Sequence, residues 1–177
     1  MNTKTRSNLR FQRRWILAVA FALAVTVCAI PLFRTRAANP MTGTISPTTT
    51  TPITWVGTAS GIPPTGGGES SCTEGTNCDS FALTISGTPA DWIAAGKQVH
   101  VQINWGVIAV TDYDMYVHKG SLSGPVVATS GAGGTDQEQV DLNPASSSIG
   151  TGLFTVHVVY FAATQADQYH GTASVVD

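Results

Sequence analysis

Beyond Arg36 the sequence contains no arginine and only two lysines, Lys97 and Lys119. All eleven acidic residues lie in this part, from Glu69 to Asp177, so it carries a formal charge of −9 although the whole chain of 177 residues sums to −2. Nucleic-acid affinity rests on Lys and Arg displacing counterions from phosphates, so DNA and RNA are excluded as partners. An acidic surface suits calcium or a cationic partner, and it also simply keeps a protein in solution.

Catalytic signatures are lacking as well. There is no G-x-S-x-G elbow, no H-E-x-x-H, no Walker A and no dinucleotide fingerprint. The glycine run at 131–134, GAGG, precedes no helical pattern. Asp112 and Asp114 share one strand, which is the wrong placement for a glycosidase pair that must flank a bond from opposite sides. The chain is read as not an enzyme, with a small metal-dependent hydrolase as the remotest alternative.

Cysteine is scarce, at three residues. Cys28 falls in the apolar run described next, leaving Cys72 and Cys78 in SCTEGTNCDS. An even pair in an exported chain reads as a disulfide. The loop it closes is short, so the entropic gain is about 2 kcal/mol. The competing reading, half of a zinc site, needs two further ligands at matching spacing, and no CxxC or His–Cys cluster supplies them.

What the chain does contain begins with an export signature. MNTKTRSNLRFQRR is basic, WILAVAFALAVTVCAIPLF is continuously apolar, and Thr35 and Ala37 stand at −3 and −1 of a cut before Ala38. Residues 1–37 are therefore expected to be a signal peptide. An uncleaved anchor is the alternative, because the run is nearly long enough to span a bilayer. The expected location is secreted, periplasmic or cell-surface, with no membrane contact after cleavage. Residues 38–52 include the Thr/Pro run NPMTGTISPTTTTP and read as an extended linker.

From residue 53 to 177 the pattern is that of strands. Phe81, Leu83 and Ile85 alternate with polar or small residues, as do Val99, Val101, Ile103 and Trp105. Tyr113, Met115 and Val117, then Phe154, Val156, Val158 and Tyr160, continue the period. Shorter candidates are PITWVGTA, PVVAT, EQVDL and HGTASVV, and DWIAAGK hints at about one helical turn. Gly, Pro, Asn and Ser clusters separate them. The fold class expected is all-β: an antiparallel, jelly-roll-like β-sandwich of about seven or eight strands.

Within that frame the stretch TDYDMYVH, Thr111 to His118, holds the densest chemistry. Strand alternation turns Tyr113, Met115 and Val117 to the core and puts Asp112 and Asp114 on the other face, roughly 7 Å apart along the backbone. Two carboxylates are part of a calcium shell, which takes about six to eight oxygens. Glu74 and Asp79, in or beside the disulfide loop, would add to it if that loop folds over the strand. The alternative is structural. An Asp at a strand entrance accepts loop N–H groups, and Asp114 could pair with Lys97, Lys119 or a histidine. His100, His118 and His157 occupy polar registers of three strands, and would converge as a zinc or copper site only if those strands adjoin. Tyr116 and His118 are candidate contact residues on an exposed face. The apolar loop Val107–Val110 is either a contact surface or part of the core.

Cys78-Asp79-Ser80-Phe81, Val99 to Trp105, Asp112-Tyr113-Asp114-Met115-Tyr116-Val117 and Phe154-Thr155-Val156-His157-Val158 together resemble the bacterial pre-peptidase C-terminal domain family. The likeness covers roughly residues 72–176, and the DYD-x-Y-V strand is its most specific part. Members are small jelly-roll sandwiches appended to secreted enzymes. The collagen-binding domains of clostridial collagenases look like distant relatives that bind calcium and fibrous protein. The resemblance implies a non-catalytic accessory or binding module, with calcium centred on Asp112 and Asp114. Its expected partners are an extracellular protein or polysaccharide, or an enzyme. A ligand-free cell-surface spacer is the rival reading. The acidic calcium-binding segment of the collagenase domains has no counterpart here, where the Thr/Pro stretch stands instead.

Overall fold

The computed structural model describes residues 38–106, 111–163 and 168–177. The expected signal peptide and the loop Val107–Val110 lie outside them. No helix among the described residues is long and apolar enough to cross a membrane.

The described chain is a two-sheet β-sandwich. In order come β1 (Thr42–Ile45), β2 (Ile53–Val56), a 3-10 turn at Glu69–Ser71, β3 (Cys78–Ile85), α1 (Pro89–Ala95), β4 (Gln98–Asn104), β5 (Thr111–Lys119), β6 (Val126–Ser130), β7 (Gln137–Leu142), β8 (Gly152–Ala163) and β9 (His170–Val176). One sheet has the order β1-β3-β8-β5-β6 and the other β2-β9-β4-β7. Every strand from β2 onward overlaps a segment expected to be a strand, and most alternate between a core face and an outward face.

The inward rows form one core. Phe81, Leu83, Ile85, Tyr113, Met115, Val117, Phe154, Val156 and Val158 come from the first sheet, and Trp55, Val99, Val101, Ile103 and Leu142 from the second. At one end Tyr113 meets Trp105 and Tyr160 edge-on, with ring centroids 4.8 and 4.4 Å away. Edge-to-face packing sets the positive rim of one ring on the negative face of another.

The short helix α1 is set by its ends. Thr88 and Asp91 form a reciprocal capping box, Pro89 opens the first turn, and Gly96 closes the helix at φ 64°. The turn exists to bury Trp92, whose Nε1 donates to the Ser86 carbonyl at 2.9 Å.

The segment 38–52 differs from the linker expected of it. Thr42–Ile45 is an edge strand that runs parallel to Ala82–Ile85 of β3, so the sandwich is not wholly antiparallel. Ala38 and Ile45 are fully buried. Thr/Pro composition argues against a core, but an edge strand needs only backbone partners and one inward apolar side chain. Ala82 N donates to Met41 O at 2.9 Å and Ser86 N to Ile45 O at 2.8 Å. The β-branched residues Thr42, Thr44 and Ile45 favour that extended backbone.

Candidate functional site

The outer face of the five-stranded sheet is not open. Residues 60–77 run across it and along β8 where β3 ends. Thr65 N and Gly66 N donate to the Tyr160 and Phe161 carbonyls, and Tyr160 N donates to Asn77 O. The disulfide Cys72–Cys78 ties this segment to the first residue of β3, with a Cα–Cα distance of 5.8 Å. Burial of Val159 on the outward register of β8 reports the same cover.

Beneath the cover, β5 and β8 present aligned polar rows. Tyr116 is paired with His157 and His118 with Thr155, so both histidines project from the same face. Glu69, in the 3-10 turn, reaches down between them. Its Oε1 lies 2.6 Å from His118 Nε2 and 2.6 Å from His157 Nδ1. The far nitrogens are engaged too. His118 Nδ1 is 3.0 Å from the Gly124 carbonyl, and His157 Nε2 is 3.4 Å from Glu74 Oε2. The histidine side chains are 5% and 3% exposed, against 25% for Glu69, so only the carboxylate has a route to water. Burial pulls against the charge on both partners, yet the mutual contacts win. His157 is held above its usual pKa by Glu74 and Glu69, and Glu69 below its own by His157 and His118.

The four residues expected to share calcium do not come together. Asp79 sits in the inward register of β3 and is fully buried. Its Oδ2 accepts from Thr58 N at 2.8 Å and Ala59 N at 3.0 Å, and from Tyr160 Oη at 3.3 Å. Those donors pin the start of the covering segment, and burial leaves the Asp79 pKa raised. Glu74 faces His157 instead of β5. The disulfide loop does fold over the sheet, but it lands on β8 rather than on the aspartates.

Asp114 has a different companion beside Asp112, the carboxylate of Glu138 of β7. Glu138 is 1% exposed and accepts from Ala132 N at 2.7 Å and from the Ser130 hydroxyl. These bonds draw the glycine turn 131–134 against the aspartates: a Cβ added at Gly131 would stand 2.8 Å from Asp114 Oδ1. Burial raises the pKa of Asp114, and the charges of Asp112 and Glu138 raise it further; burial alone raises that of Asp112. Asp112 Oδ1 is shielded from water and has no hydrogen-bond partner among the described residues.

Tyr116 and His118, expected on an open contact face, are covered. Tyr116 Oη is 3.4 Å from Asp114 Oδ2 and would be 3.4 Å from a Cβ at Gly68. The three-histidine site does not form either. His100 belongs to β4 in the other sheet, where its Nδ1 meets Asp141 Oδ1 across β7 at 2.7 Å. Only β5 and β8 adjoin, which leaves His118 and His157 together.

Among the described residues, two sets of three potential ligands bring their atoms within 4.8 Å: Glu69–His118–His157 and Cys72–Cys78–His157. The second is closed to metal while its sulfurs are bonded to each other, because the ligand form is the thiolate. Glu69 was not a candidate in the sequence. It stands in an irregular stretch with no periodic signal, and only the path of the covering segment brings it to the histidines.

The fold and the covered polar face define a disulfide-tied β-sandwich with two clusters of titratable side chains on one sheet and its edge. No family model matches the chain, and no curated protein matches it.

Proposed function

We propose that the chain is an exported, non-catalytic accessory module that is stabilised by calcium and contacts an extracellular protein or polysaccharide, or an enzyme partner. The observation that carries the reading is the packing of Asp112 and Asp114 under the glycine turn beside buried Glu138. Among the described residues Asp112 Oδ1 has no hydrogen-bond partner, and Asp114 is repelled by both neighbours. A hard cation with oxygen ligands satisfies the first and offsets the second. The export signature of residues 1–37 and the disulfide support the extracellular setting. The resemblance to the pre-peptidase C-terminal family supports an accessory role.

Tyr116 and His118 are too covered to serve as the contact surface. The reading places contact instead around Leu122, Val126 and Leu153, which are 42, 45 and 48% exposed. Thermal melting in millimolar calcium and then in chelator is the primary test. A midpoint that rises with calcium and falls with chelator is expected, and no shift would sink the metal part. Retention on collagen or an insoluble polysaccharide is expected in a pull-down, whereas retention on neither favours the spacer.

A further inference from the structure

We propose that Glu69, His118 and His157 form a binding site for a divalent transition-metal ion of the zinc class, separate from the calcium reading of Asp112 and Asp114. The donor set is two imidazoles and a carboxylate, which suits zinc and its neighbours and not calcium, an all-oxygen ion.

The hydrogen bonding around the rings carries the inference. Each histidine directs one nitrogen inward to Glu69 Oε1, at 2.6 Å in both cases. Each has its other nitrogen faced from outside: His118 Nδ1 meets the Gly124 carbonyl at 3.0 Å, and His157 Nε2 has Cys72 Sγ at 3.5 Å and the Glu74 carboxylate in ion-pair reach at 3.4 Å. Metal-binding histidines almost always donate their outer N–H to a backbone carbonyl or a carboxylate, which fixes the tautomer and aims the inner lone pair. His118 has the carbonyl arrangement, and His157 has the Glu74 carboxylate beside its outer nitrogen. Both inner nitrogens converge on the same carboxylate oxygen, so an ion placed there meets both rings and Glu69. With a metal, each ring needs only its outer N–H, and the inner lone pairs bind the ion.

Space and access agree. A tetrahedral zinc ion, with bonds of about 2.0–2.2 Å, keeps its ligands roughly 3.3 Å apart. The inner contacts have to open by a fraction of an ångström, and Glu69 is on the covering segment and not on a strand. The histidines are fixed to neighbouring strands and nearly fully buried, while the partly exposed Glu69 marks the entry side. A water completes the shell from that side. The disulfide contributes position, not ligands: it holds the segment that carries Glu69 and Glu74 over β8.

The test is a cobalt(II) titration of the oxidised protein, read by visible absorption and followed by zinc displacement, in excess calcium so that any Asp112–Asp114 site is already saturated. A saturable one-to-one spectrum that zinc abolishes is expected. Glu69→Gln and His157→Gln should each remove it. Glu74→Gln should weaken binding by about 10- to 100-fold, the usual effect of losing an outer partner. His100→Gln, on the other sheet, should leave it unchanged. Circular dichroism confirms that each variant is folded, and Glu69→Gln is the safeguard because it alters only the loop. Absence of a saturable spectrum in the folded wild type overturns the proposal, as does a spectrum that survives both Glu69→Gln and His157→Gln. Neither outcome bears on the calcium reading, which the melting experiment decides.

Discussion

Trp55 of β2 stacks on Phe81 of β3 across the interior of the sandwich, with ring centroids 4.0 Å apart and planes 4° from parallel. The pair joins the two sheets, and its geometry depends on a third position. A Cβ at Gly171 of β9 would stand 2.0 Å from Trp55 Cε2. Gly171→Ala therefore has to push the indole off Phe81 or bend β9. Overpacking of this kind costs about 1–3 kcal/mol or more. A lowered denaturation midpoint with changed near-ultraviolet circular dichroism is the expected signature. An unchanged midpoint would mean that the ring moves without penalty.

Asp79 is expected to act as an anchor for the covering segment. Asp79→Ala leaves the Thr58 and Ala59 N–H groups without their acceptor, at a cost of about 1–3 kcal/mol for buried donors left unsatisfied. Asp79→Asn keeps an acceptor oxygen and should cost less. The two variants also separate charge from hydrogen bonding through pH. Burial raises the folded-state pKa of Asp79 above its ordinary 3.8, with Glu74 adding to the rise. Its contribution to stability is thus largest below the unfolded-state pKa and declines as pH rises through the folded-state value. Wild type should lose ground to Asp79→Asn between acid and neutral pH in chemical denaturation. A constant difference would show that the ionised form is fully compensated by Thr58, Ala59 and Tyr160.

Reducing or replacing the Cys72–Cys78 bridge should cost about 2 kcal/mol through the entropy of a short loop. Because this bridge holds the segment over β8, Cys72→Ser/Cys78→Ser should also speed hydrogen exchange at the Thr65 and Gly66 amides, which bond to β8. Exchange at the β4 and β9 amides should change far less. Equal acceleration in both sheets would argue for global rather than local loosening.

Asp114 carries a prediction of sign. In chelator its burial and its repulsion by Asp112 and Glu138 both oppose its charge, so Asp114→Asn should leave stability equal to or above wild type. In calcium the order should reverse, because the variant has lost a ligand. Melting curves of both proteins in both buffers check the crossover.

The helix cap gives a smaller, local effect. Thr88 accepts from Asp91 N through its hydroxyl, and Asp91 Oδ2 accepts from Thr88 N at 2.8 Å. Thr88→Ala should lower stability by about 1 kcal/mol, read from urea denaturation. The change should not alter metal binding, since α1 lies away from both acidic clusters.

The sandwich can be read from residue order. Period-two alternation is a local property, written into strands by the need to bury one face, so β3, β4, β5 and β8 could be located from residue order alone. The same rule turned Tyr113, Met115 and Val117 inward. The cysteine pair was legible because two thiols in a chain with an export signature have few other uses. Composition misled at 42–45, where Thr-rich sequence makes a strand only because β3 offers a free edge.

Which polar residues meet was settled by how the strands and loops pack together. That depends on strand order and on the path of irregular chain, and neither has a periodic signal. Setting β8 between β3 and β5 made His118 and His157 neighbours and left His100 in the opposite sheet. The covering segment brought Glu69 to them from a stretch with no pattern at all. It placed Glu74 beside His157, the inward register of β3 put Asp79 in the core, and Asp114 of TDYDMYVH found Glu138 as its companion instead. Alternation says which face a side chain takes, but chain entropy and packing over the whole domain settle what lies on top of it.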